Sequence, residues 1–98
     1  MTAQDLFDAY SNNETAANEK YNGKILAVSG MVIDHSTDKQ GNSVILLRSN
    51  DPNSGVLCTF ESSISDEQLE GKNIKLKGQC NGLLMDVVLN KCIFLEQI

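Results

Sequence analysis

Residues 73–80, NIKLKGQC, put Ile74, Leu76, Gly78 and Cys80 on one side of an extended chain and Lys75, Lys77 and Gln79 on the other. Wrapped onto a helix, this period of two would scatter the apolar residues around the axis, so the stretch predicts a strand with one buried face. A chain built on such a segment must supply further strands to cover it.

The sequence from Lys24 onward supplies them. KILAVSGMVID, residues 24–34, reads as strand one, and its internal Gly30 marks a bend or bulge through which one long strand serves both halves of a small barrel. HSTDKQGN, 35–42, reads as a polar loop, SVILLRS, 43–49, as strand two, and NDPNSG, 50–55, as a dense turn. In VLCTFE, 56–61, Val56, Cys58 and Phe60 share one face of strand three. SSISDEQLEGK, 62–72, suggests a short helix, with Ser65 and Gln68 at capping-box spacing and Gly71 as its stop. NIKLKGQC is strand four, and DVVLNKCIFLE, 86–96, is strand five.

Residues 1–22 differ in texture. Leu6, Phe7 and Tyr10 fall at helical spacing behind Thr2, a helix-capping residue, and Ala16, Ala17 and Tyr21 renew the pattern after Asn13. Two short helices, or one kinked helix, therefore precede the strands.

Five strands with a helical segment between the third and fourth is the pattern of the oligonucleotide/oligosaccharide-binding (OB) barrel, a small Greek-key barrel. The expected architecture is mainly β: one domain over 1–98, with an N-terminal helical segment (1–22) and a barrel over 24–96. A plain antiparallel sheet with one face covered by the helices is the alternative.

Size and charge narrow the function. A chain of 98 residues with 41% hydrophobic and 21% charged residues holds one modest core. The net charge is −5, and it is even along the chain: four basic against six acidic residues in 1–49, four against seven in 50–98. Phosphate neutralisation supplies most non-specific nucleic-acid affinity, so this balance argues against a general DNA or RNA binder. No window approaches the roughly 18 apolar residues of a membrane span, and the first twenty residues lack the apolar centre of a signal peptide. As written, the chain reads as soluble: cytoplasmic if Met1 is the natural start, periplasmic or exported if a leader has been removed.

KGQCNGLLMDVVLNKC, residues 77–92, holds two of the three cysteines. Cys58, Cys80 and Cys92 with the single His35 lack the paired spacing of a zinc site, so no metal and no cofactor is expected. If Asn81 to Met85 form a hairpin end, Cys80 faces about residue 87 and Cys92 lies roughly 16–17 Å further along, beyond the ~7 Å that a disulfide spans between Cα atoms. The three thiols read as core-facing, with a Cys58–Cys92 or Cys58–Cys80 pair as the alternative. Asn81-Gly82 reads as the turn that uses positive φ, and Asp86 as a carboxylate accepting backbone N–H groups from the preceding loop. His35, beside Asp34 and Ser36, reads as a solvated loop residue rather than part of a triad, whose members converge from separate elements. No nucleophile elbow, P-loop or carboxylate pair appears, and no enzymatic activity is expected.

NETAANEKYNGKILAVSGMV, GVLCTFE and GKNIKLKGQCNGLLMDVVLNKCIF together resemble the tRNA-anticodon-binding-like OB family, small bacterial domains that include predicted lipoproteins and exported proteins. The resemblance spans roughly residues 13–94. It implies an OB barrel preceded by a helix, no assigned catalysis, and a nucleic-acid label inherited from the fold.

In OB barrels the outer face of strands two and three, with the loops after strands one and four, forms the ligand groove. Here that region predicts His35, Lys39, Arg48, Thr59, Asn81, Leu83 and Leu84. The aromatic platforms that single-stranded nucleic acid stacks on are missing, because Phe60 faces the core and Phe7, Tyr10 and Tyr21 belong to helices. Lys72, Lys75 and Lys77 form one basic row, read as a solvated edge or as pairing with Asp66, Glu67 and Glu70. The expectation is a non-catalytic binding module for a protein or small molecule. Single-stranded nucleic acid is the alternative, and a structural or assembly module a third.

Overall fold

The computed structural model describes residues 1–69 and 71–98. Helix α1 (Ala3–Asn12) starts where the Thr2 hydroxyl accepts the Asp5 N–H at 3.1 Å, and α2 (Glu14–Tyr21) starts where the Asn13 side chain accepts the Ala16 N–H at 3.1 Å. Each cap satisfies an N–H that the helix itself leaves unpaired. Ala3, Leu6, Phe7 and Tyr10 form a continuous buried stripe along α1, whereas α2 buries Ala17 alone. A ten-residue helix is marginal in isolation. Burying large apolar side chains is worth about 1.5–3 kcal/mol each, so it is the stripe that holds α1 on the barrel.

The strands are β1 (Ile25–Thr37), β2 (Ser43–Arg48), β3 (Gly55–Phe60), β4 (Asn73–Leu84) and β5 (Asp86–Gln97), and a single helical turn, α3 (Asp66–Leu69), lies between β3 and β4. They close in the order β1-β2-β3-β5-β4, with β4 returning to β1. The ladder closes on itself, unlike the open sheet of the alternative. All pairs are antiparallel except β3 with β5.

Strand β1 performs the double service its glycine suggested. Residues 25–31 pair with β4, residues from Val32 onward pair with β2, and the register shifts between Val32 and Asp34. At the bend, a Cβ on Gly30 would lie 3.1 Å from the Ala3 Cβ and 3.3 Å from the Leu47 Cβ. A side chain there would crowd α1 and β2 at once.

Three local expectations need correction. Strand β1 does not stop at Asp34: His35 pairs with Ile45, Ser36 with Val44 and Thr37 with Ser43, so the loop shrinks to 38–42. There the Asp38 carboxylate accepts the N–H groups of Gln40 and Asn42 at 2.9 and 3.0 Å. Asn81-Gly82 is not the hairpin turn. It lies inside β4 at a register shift between Cys80 and Leu83, where the positive φ of Gly82 (90°) serves a bulge, and the chain reverses at Met85 with φ 63°. Finally, Asp86 does not serve the preceding loop. Its Oδ1 accepts the N–H of Gly55 at 2.8 Å, tying the start of β5 to the start of β3, its parallel partner.

Inside the barrel, Val28, Ile45, Leu47, Val56, Phe60 and Ile74 are completely or almost completely buried, and Leu69 of α3 joins the same cluster. Among the described residues no helix is long and apolar enough to cross a membrane.

Candidate functional site

All three cysteines point into the core as free thiols. The Cys80 Sγ lies 3.4 Å from the Tyr10 hydroxyl, so this contact pins α1 to β4. The Cys92 Sγ donates to Leu89 O at 3.5 Å, and the Cys58 Sγ to Val56 O at 3.7 Å. Burial, and next the neighbouring Cys92 thiol, push the Cys58 thiol well above the ordinary cysteine range. A reactive cysteine needs an accessible thiolate, so Cys58 is built for packing. Among the described residues no group of three or more His, Cys, Asp or Glu is arranged to hold a metal ion.

His35 is not a solvated loop residue. It is half-buried on β1, its Nε2 lies 2.9 Å from the Ser43 Oγ, and that hydroxyl accepts the Ile64 N–H at 2.8 Å. The pair ties the end of the β1–β2 hairpin to the segment after β3.

The residues expected to form a groove are spread over the barrel. Lys39 is exposed in the β1–β2 turn, and Thr59 is half-buried opposite Val44 on the outward side of β3. Arg48 and Leu84 lie at the other end of these strands. Arg48 pairs with Gly55, whose N–H reaches Asp86, which in turn pairs with Leu84. Asn81 is exposed and Leu83 is half-buried against the core. Leu84 is 76% exposed and the neighbouring Met85 is 85% exposed, so the hairpin tip is apolar. The sequence reading set Met85 in the hairpin end but not among the candidate contact residues, which stopped at Leu84.

Lys75 and Lys77 project outward from β4, while Lys72 precedes the strand and accepts the Val32 N–H on its carbonyl at 2.9 Å. Of the acids expected beside them, Glu70 and the side chain of Asp66 lie outside the described residues. No ion pair joins these lysines to Glu67 or to another described residue. Lys77 is flanked across the sheet by Ala27 and Ile93.

One concavity was not legible in the sequence. A cleft of about 450 Å³ opens where β2 parts from β1, lined by Thr2, Gln4, Ser29, Met31, Arg48 and Asn73, with Ala3, Gly30 and Ile98 completing the wall. It unites the start of α1, the bend of β1, the end of β2 and the first residue of β4.

No curated protein matches the chain. A solved structure from Klebsiella pneumoniae subsp. pneumoniae, named as a "putative nucleic acid-binding lipoprotein", is 16% identical and superposes with a TM-score of 0.69 over 98% of this chain and 92% of that one. At that identity the likeness speaks for the fold alone. The family model described as tRNA_anti-like matches residues 1–93, nearly the whole chain. The chain belongs to the tRNA_anti-like family.

Proposed function

We propose that this chain is a non-catalytic OB-type binding module whose partner is a protein or small molecule rather than single-stranded nucleic acid. The strand order β1-β2-β3-β5-β4 supports the OB reading, with α3 as its crossover and residues 1–98 as one domain. One observation carries the choice of partner. The outward side of β2 and β3 presents half-buried Val44, Leu46, Leu57 and Thr59 with exposed Arg48 at its end, a largely aliphatic surface with no ring for a base to stack on, in a chain of net charge −5. Stacking and a positive groove are the two things a single strand requires of an OB face. The apolar tip at Leu84 and Met85 adds contact area of the kind a protein partner covers.

Single-stranded nucleic acid is the second reading, supported by the name of the Klebsiella protein and by the outward Lys75 and Lys77. Titration of a labelled oligo-dT at low salt separates the two. The proposal expects no saturable binding; an affinity that falls linearly with log salt concentration would favour nucleic acid instead. A structural or assembly role predicts a co-purifying protein and the same silence toward oligonucleotide.

A further inference from the structure

The chain holds two asparagines followed by glycine, Asn22 and Asn81, and the fold treats them differently. Such a pair is chemically labile, because a glycine without a side chain lets its main-chain nitrogen reach the preceding carboxamide carbon. At Asn22 that nitrogen is occupied. The Gly23 N–H donates to Cys80 O at 2.8 Å, the Gly23 carbonyl accepts from Gln79 Nε2 at 3.2 Å, and the Cys80 N–H donates to Lys24 O at 2.9 Å, so β4 stitches this turn down. Asn81 and Gly82 instead lie at the register shift between Cys80 and Leu83, and neither has a partner residue on β5 or on β1. Asn81 is exposed, and its side chain makes no hydrogen bond with the described residues. Gly82 has φ 90° and is covered by α2, since a Cβ on it would lie 3.2 Å from the Asn18 Oδ1. That helix buries Ala17 alone and leaves the Asn18 Oδ1 without a partner, so lifting it from the bulge exposes little apolar surface and costs little.

We infer that Asn81 is a site of spontaneous deamidation and that the fold protects Asn22 from the same reaction. The Gly82 nitrogen gives up its proton and attacks Asn81 Cγ. The N–Cγ bond forms, the Cγ–Nδ2 bond breaks, and the amide nitrogen leaves as ammonia with the proton taken from Gly82. Water then opens the resulting cyclic imide at either carbonyl, giving aspartate or isoaspartate, and is the only reagent consumed. Aspartate adds a negative charge to the bulge. Isoaspartate routes the main chain through the former side chain and lengthens it by one methylene, just before the exposed tip at Leu84 and Met85. None of this depends on what binds the outer face of β2 and β3.

The test is a timed incubation of the whole 98-residue chain in mildly alkaline buffer, folded and in guanidinium chloride, followed by peptide mapping with mass spectrometry. In the folded chain Asn81 is expected to gain the mass of an amide-to-acid conversion about tenfold faster than Asn22, a factor of the size that one net hydrogen bond supplies. In guanidinium chloride the two positions should react at similar rates, which assigns the difference to the fold. Asn81→Gln, whose longer side chain closes the ring far more slowly, should remove the early gain, and Asn22→Gln should leave it. Both side chains are exposed, so the variants keep the folded chain. Chromatography of the Asn81 peptide should resolve aspartate and isoaspartate together. The inference is overturned by equal rates at the two positions in the folded chain, by Asn22 reacting first, or by Asn81 staying intact while the unfolded chain deamidates. Aspartate as the sole product would mean direct hydrolysis without the imide and would overturn it equally.

Discussion

Gly78→Ala offers the most direct test of how the thiol core is packed. A Cβ built on Gly78 would sit 2.5 Å from the Cys92 Sγ, 3.2 Å from Asn90 O and 3.4 Å from the Leu89 Cβ. Comfortable non-bonded separations between heavy atoms are about 3.5–4.0 Å, so the sulfur must retreat by about 1 Å. It has little freedom to do so, because Cys92 is 2% exposed and its thiol is engaged with Leu89 O. Inserting a methyl into a packed core costs about 1–3 kcal/mol, and the smaller entropy of an unfolded alanine returns about 0.4–1 kcal/mol. The expected net loss is about 1–2 kcal/mol, which lowers Tm by about 4–8 °C per kcal/mol in a domain of this size. The cause can be isolated. Cys92→Ala removes the obstructing sulfur, so in that background Gly78→Ala should lose most of its cost, and a double-mutant cycle should return a coupling of about 1–2 kcal/mol. Urea melts followed by far-UV circular dichroism are the assay, since the chain has no tryptophan to report by fluorescence. Equal costs in both backgrounds, within the ~0.3–0.5 kcal/mol expected of independent sites, would refute the claim that Gly78 exists to seat Cys92.

Other perturbations follow from single contacts. Asp86→Ala strands the buried N–H of Gly55 and should cost about 1–3 kcal/mol, whereas Asp86→Asn keeps an acceptor and should recover at least half of that in the urea midpoint. Tyr10→Phe deletes the hydroxyl facing Cys80 and should cost about 0.5–1.5 kcal/mol by the same measurement. Asn18→Ala should stabilise the chain by about 0.5–1.5 kcal/mol in thermal melts, because the Asn18 Oδ1 is buried without a partner and alanine is the better helix former. Alkaline pH should destabilise the fold. Burial first, and neighbouring thiols second, raise Tyr10 and Cys58 in the folded chain, while the unfolded chain ionises at 10.0 and 9.0. The stability they protect is thus whole below about pH 8 and declines as pH climbs through 9 and 10, a slope that Cys58→Ala with Tyr10→Phe should flatten.

How much of this was readable in advance depended on whether the signal was local. The alternation in 73–80 placed Ile74, Leu76 and Cys80 inside because a period of two reports burial directly, and Thr2 and Asn13 announced their helices because a cap acts only three residues away. His35 was misread because polar residues at the end of a strand look like loop, and the partner that orders it, Ser43, becomes adjacent only once the hairpin has closed. Asn81-Gly82 was misread because positive φ serves a turn and a bulge equally well, and the choice was made by the pairing of Cys80 with Leu89 and of Leu84 with Asp86. The Asp86 contact depends on a parallel pairing between β3 and β5, which no local pattern encodes. The cleft was the least legible, since Thr2, Ser29, Arg48 and Asn73 come from four separate elements and none is conspicuous where it stands. Arg48 was named, but for a groove with other neighbours.

The bend at Gly30 links the closure of the barrel to the opening of that cleft. Because β1 turns from β4 to β2 there, its first half has a vacant edge on the β2 side. The chain before α1 lies along that edge: Thr2 bridges Ser29 in parallel, and the Ser29 N–H donates to Met1 O at 2.9 Å. The cleft is the gap left where β2 ends at Arg48 and this N-terminal segment takes over. Ala3 and Gly30 meet in its wall, where a Cβ added to Gly30 would lie 3.1 Å from the Ala3 Cβ. Gly30→Ala would press on Ala3 and Leu47 at once, lifting the start of α1 and shifting the end of β2, the two walls that carry Thr2, Gln4 and Arg48. The same glycine that lets five strands close a barrel also seats the start of α1 beside the end of β2, so a variant that relaxes the bend should disturb helix docking and strand pairing together.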